Sequence, residues 1–181
     1  MNFTINAAQM IWSMTLVLTV VAAYTDLRER RIPNWLTVPG FVIGVGVHAW
    51  LGGWRGTLAS LEGAGLAMLI LLPLVLVRGL GAGDWKLMGA VGACVGPWMM
   101  LFVLLATVLV TGLVAMVRVT MMGRVKSTFT NMWVLVKGFM AFGLKPNAAV
   151  SLDTPGLIKL PFGATVAVGT IICFVAATWV W

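Results

Sequence analysis

Two aspartates, Asp26 and Asp84, are the residues of this chain best placed to do chemistry. The sequence holds only five acidic residues: Asp26, Glu29, Glu62, Asp84 and Asp153. A carboxylate beside hydrocarbon costs a few kcal/mol, so each one is a candidate functional group. Asp84 stands in Gly81-Ala82-Gly83-Asp84-Trp85-Lys86, at the start of an apolar run, and Asp26 closes the first apolar run of the chain. Two carboxylates at one depth can share a proton, one ionised to activate water and the other protonated to polarise a carbonyl. Their titration then belongs to the pair. Other chemistries lack their parts: no serine or cysteine has a basic partner in view, and the single histidine, His48, lies in an apolar run. Cys94 and Cys173 form no C-x-x-C pair, so a metal site is not expected and neither is a cofactor.

The elements that carry these residues follow from composition. The 181 residues are 61% hydrophobic and 9% charged, and the mean hydropathy is +1.03. A soluble domain carries about a quarter charged residues, so the chain reads as an all-α, polytopic transmembrane bundle forming one membrane-embedded domain over residues 1–181. The net charge of +7 is scattered through short loops. Membrane topology and anionic headgroups account for it, and no nucleic-acid partner is expected. No basic stretch precedes the first apolar run, so it reads as a retained span and not a cleaved signal peptide.

A span needs about 20 apolar residues. The first covers 7–25. A polar loop from Asp26 to Asn34 follows, then a span at 35–51 with Pro33 fitting a helix start and Asn34 a good N-cap. A glycine turn at 52–56 precedes a third span at 58–77. The long apolar run from Trp85 to Val117 is broken at Gly96-Pro97, giving a short fourth helix (85–95) and a fifth (98–119). Residues 121–159 form an interfacial, cytoplasmic-side segment, with an amphipathic helix expected at 128–142. The last of about six spans covers 160–180. With the 26–34 loop inside, eleven of the twelve Lys and Arg lie inside, leaving Arg55 outside. Both aspartates then face the cytoplasm, and both termini lie outside.

Generic physics leaves structural roles open. Asp84 can cap free helix N–H groups, and Asp26 can pair with Arg28 or Arg30. Gly81 and Gly83 can merely end a helix, or, lacking Cβ, allow unusual torsions and close approach of substrate to Asp84. Lys86 can tune Asp84 or simply snorkel. Helix initiation is the preferred account of Pro33 and Asn34, with substrate contact the other. Arg28, Arg30 and Arg31 set topology; Glu62 and His48 are read as structural.

Three stretches in order, Asp26-Leu27-Arg28 through Ile32-Pro33-Asn34-Trp35, then Gly81-Ala82-Gly83-Asp84-Trp85-Lys86, then Leu160-Pro161-Phe162-Gly163, resemble the type IV prepilin peptidases. These are G-x-G-D membrane aspartyl proteases, grouped with the preflagellin peptidases. The resemblance implies Asp26 and Asp84 as catalytic residues, with Gly81, Gly83, Lys86, Pro33 and Asn34 as supporting motif residues. It implies removal of a short basic leader from prepilins at the cytoplasmic face of the bacterial inner membrane. Membrane lipids and pilus assembly machinery are the other expected partners. The loop between the first two spans has no cysteine pair, unlike longer members that also N-methylate, so cleavage without methylation is expected. The chain is most similar to the short form of tight-adherence (Flp) pilus systems. The readings set against this are a non-catalytic component of a pilus or secretion machine and a small proton-coupled transporter.

Overall fold

A computed structural model describes residues 7–77, 79–122 and 161–180. Among these residues four helices run in order: α1 (Ala7–Glu29), α2 (Asn34–Leu76), α3 (Ala82–Met121) and α4 (Phe162–Val180). Each contains a stretch long and apolar enough to cross a membrane. Among the described residues there are four such helices where about six spans were expected, because helix continues on both sides of the two glycine breaks. The expected interfacial segment at 121–159, with its helix at 128–142, lies outside the described residues apart from Met121 and Met122.

α2 and α3 are 43 and 40 residues long, and each is interrupted once. Gly53 has φ 56° and ψ −139°, and Gly96 has φ 77° and ψ 174°. Both lie at positive φ, which glycine adopts at no steric cost. The Gly96 break falls beside Pro97, as the ring and missing N–H of proline demand. In an unbroken helix Gly44 and Gly63 would stand roughly 28 Å apart. Instead both lie against the same turn of α3: a Cβ on Gly44 would meet Ala93 and Cys94, and one on Gly63 would meet Gly92 and Gly96. The two arms of α2 therefore lie side by side. α3 also turns back, since Asp84 near its start and Arg118 near its end line one cavity, whereas 34 positions of straight helix would separate them by roughly 50 Å.

The first arm of α3 is the centre of the bundle, and every residue from 87 to 96 is buried. Gly89, Ala90, Gly92, Ala93 and Gly96 keep that arm thin, so neighbouring helices approach its backbone closely. The broken turn exposes carbonyls that the fold must satisfy. Pro97 has no N–H to offer the Ala93 carbonyl four residues back, and Ser60 Oγ donates to it instead at 2.7 Å. His48 Nε2 sits 2.7 Å from the Cys94 carbonyl of the same turn. A carbonyl only accepts, so Nε2 carries the hydrogen. In this contact His48 is the donor. Ser60 is fully buried, so Ser60→Ala is expected to cost about 1–2 kcal/mol by leaving the Ala93 carbonyl bare. The readout is the unfolding midpoint of the detergent-solubilised protein, and an unchanged midpoint would count against this account of the break.

Candidate active site

α1 ends through backbone chemistry that aims Asp26 inward. Arg30 holds φ 52°, the left-handed conformation that closes a helix, and its N–H bonds the Asp26 carbonyl at 2.9 Å. Asp26 itself is only 8% exposed. A buried carboxylate needs donors, and one comes from the far end of the chain: the Gly163 N–H donates to Asp26 Oδ2 at 2.7 Å, across 137 positions of sequence. Gly163 is the second residue of α4, so its N–H is one of the free donors at a helix start, where the backbone dipole also favours negative charge. Pro161 immediately before α4 suits such a start. A Cβ on Gly163 would come within 3.0 Å of Asp26 Cβ and 3.1 Å of the Ala22 carbonyl. Gly163→Ala is therefore expected to push α4 off α1 and cost about 1–3 kcal/mol, as overpacking does. An unchanged unfolding midpoint of the detergent-solubilised protein would show that the contact does not matter.

Asp84 is placed by its own helix. It is the third residue of α3, after an N-cap Gly81 in extended conformation. Its carboxylate accepts the Gly81 N–H, the returning half of a capping box. Each aspartate thus has a carboxylate bound by a backbone N–H at a helix start. The two side chains line one cavity of about 930 Å³ and lie within electrostatic reach of each other. Its walls are largely apolar, including Leu71, Leu74, Met88, Leu104 and Phe162, while Arg30, Arg31 and Arg118 bring positive charge to it. An ionised and a protonated carboxyl in such a recess can activate a water and polarise a carbonyl together.

The supporting residues fall differently from expectation. Neither Gly81 nor Gly83 is at positive φ, so unusual torsion is not their role. Close approach is: a Cβ on Gly81 would sit 3.0 Å from Asp84 Oδ2, and one on Gly83 would sit 3.2 Å from the Ile32 carbonyl oxygen. Lys86 does not bond Asp84; its Nζ donates to Asn34 Oδ1 at 3.0 Å, joining the starts of α2 and α3. Asn34 is not the N-cap of α2. Pro33 holds that position with no side-chain cap, since a proline side chain has no group to accept a bond; its carbonyl instead accepts from the Leu36 and Thr37 N–H groups at 3.1 and 3.4 Å. Glu62 is exposed and does not line the cavity.

Two contributors were given no role by the sequence reading. Gly163 acts through its N–H, a group that nearly every residue carries, so its one signal was its place in the Leu160-Pro161-Phe162-Gly163 stretch. Arg118 lines the cavity, and its sole sequence signal is a charge ending a long apolar run.

Residues 13–116, more than half of the chain, match the family model described as the type IV leader peptidase family. The match takes in both aspartates and stops short of Gly163. No curated protein and no solved structure matches.

Proposed function

The chain belongs to the type IV leader peptidase family, and from that membership and the cavity geometry we propose an aspartic endopeptidase that removes the short basic leader from prepilins. The observation carrying this is the convergence of Asp26 and Asp84, from distant parts of the chain, on one apolar recess. One carboxylate takes a proton from water as that water attacks the scissile carbonyl. The other, protonated, donates to the carbonyl oxygen, and the leaving amine then receives a proton from the pair. No covalent enzyme intermediate is needed. The N–H groups of Gly163 and Gly81 hold the two carboxylates in place without consuming all their oxygens' acceptor capacity.

In this reading α2 and α3 each cross the bilayer twice, turning at Gly53 and Gly96, so the described helices make six crossings within one membrane domain. Trp50, Trp54, Trp98 and Trp179 are 74–86% exposed near the two turns and the end of α4, as in an interfacial aromatic belt. Tyr24 and Trp35, also exposed, flank the aspartates at the other end. The arginines around the cavity support a cytoplasmic position for that end in a bacterial inner membrane, with both termini outside. The substrate is a Flp-type prepilin, cleaved without N-methylation, since the Asp26–Asn34 connection carries no cysteine pair.

The test is co-expression with a small protein carrying a basic leader before an apolar helix, followed by intact mass. Loss of the leader with an unmodified new N-terminus is expected. Retention of the leader on every such partner would sink the assignment.

A further inference from the structure

The peptide bond that joins a basic leader to an apolar helix must lie open for water to reach its carbonyl. The N–H and C=O groups beside it are then without helical partners. The groups set free then need new partners, because an unpaired backbone group in a water-poor recess is costly. Most backbone bordering the cavity has none to offer. The helices use their own N–H and C=O groups internally. In the loop before α3, the Gly79 and Leu80 N–H groups bond the Leu74 carbonyl, and the Gly81 N–H bonds Asp84.

Arg31 and Ile32 differ. Both line the cavity, between the end of α1 and the start of α2. Ile32 precedes proline, which holds it extended, and Pro33 continues the extended path at φ −77° and ψ 148°. Among the described residues, no hydrogen bond is made by the N–H or C=O of Arg31 or Ile32. The strip is also held rigidly at both ends. Upstream, the left-handed turn at Arg30 follows Asp26. Alongside, Gly83, next to Asp84, packs on the Ile32 backbone: a Cβ there would be 3.2 Å from the Ile32 carbonyl oxygen and 3.6 Å from its nitrogen, so in extended chain the pair facing away from α3 is that of Arg31. The Ile32 side chain is buried in the core, which fixes the backbone that carries the free groups.

We propose that Arg31–Ile32 is a main-chain docking strip, on which one residue of the peptide substrate beside its scissile bond pairs as a short β-bridge. The inference rests on the peptidase reading and adds to it a binding element for opened backbone. One strip residue offers an N–H and a C=O on the same side, which exchange two bonds with one residue of an extended partner. Recognition is of main chain and not of side chains, so it tolerates sequence variation around the bond. It also positions the opened carbonyl between the two aspartates that flank the strip.

The experiment uses the full chain in liposomes and a synthetic peptide with a basic leader followed by an apolar helix. Each amide within three residues of the scissile bond is replaced in turn by an ester, with side chains and the scissile amide itself unchanged. The expected result is a fall of about tenfold in kcat/KM at one position, a smaller fall at its C-terminal neighbour, and values within twofold elsewhere. An ester also weakens the substrate helix, which by itself speeds cleavage, so the expected change has the opposite sign to simple unwinding. Esters within twofold of the amide at every position, or an equal fall at all of them, would overturn the docking strip while leaving the peptidase intact. Failure to cleave the all-amide peptide would overturn the peptidase reading and this inference with it.

Discussion

Asp84→Asn is expected to slow leader removal by about a thousandfold or more while the protein still inserts and folds, and Asp26→Asn to do the same. The substitution separates charge from hydrogen bonding. An asparagine oxygen still accepts the Gly81 N–H at position 84 or the Gly163 N–H at position 26. What it cannot do is accept a proton from water or share one with its partner. The rival account makes Asp84 a helix cap and no more, and caps are worth about 0.5–2 kcal/mol. Losing part of that shifts the unfolding midpoint but leaves chemistry in the folded fraction untouched. A thousandfold change in rate corresponds to about 4 kcal/mol of barrier, beyond anything a partial loss of cap delivers. The check is a time course of leader removal on a gel, with the amount of folded, membrane-inserted protein measured in parallel. Processing by either variant at the parental rate would remove that aspartate from the mechanism.

The largest structural effect is expected where α2 and α3 cross. A Cβ on Gly63 would overlap the Gly92 carbonyl oxygen, and one on Gly92 would overlap the Gly63 carbonyl oxygen. Both obstacles are backbone, with no flexible side chain to swing aside. Gly63→Ala or Gly92→Ala must therefore part the second arm of α2 from the first arm of α3. The cost is about 1–3 kcal/mol, typical of overpacking. Gly65 lies two residues along the same arm and has nothing within 4 Å of its built Cβ. Gly65→Ala should be neutral or slightly stabilising, since alanine is the better helix former by about 1 kcal/mol. Unfolding midpoints of the three variants in one detergent decide the matter. Equal behaviour at positions 63 and 65 would refute the close crossing. Because Asp84 stands in the first turn of α3, the Gly63 and Gly92 variants should also lose cleavage activity.

Much of this was readable from local pattern. The chain's hydropathy marks the apolar runs. Gly53 and Gly96-Pro97 mark where they break, because positive φ and a missing N–H are properties of those residues wherever they stand. Scarcity of acids in an apolar chain singled out Asp26 and Asp84, since a carboxylate there carries a cost that composition alone reveals. Spacing did not reveal that helix persists up to each glycine break, so the number of helical elements was overestimated. Nor did it reveal that the Asn34 side chain would be drawn to Lys86, 52 positions away, and away from the helix end it was expected to cap.

The sequence by itself determined that this chain belongs in a membrane, where its helices break, and which two acids merit attention, because these follow from each residue's own transfer cost and backbone freedom. Only the tertiary structure decided that the Gly163 N–H holds Asp26, that Ser60 and His48 satisfy the carbonyls freed by the break at Gly96, and that both aspartates share a cavity with the unpaired backbone of Arg31 and Ile32. Those depend on which backbone groups meet across the bundle. Every residue except proline carries the same N–H, so its identity cannot announce where that N–H will point.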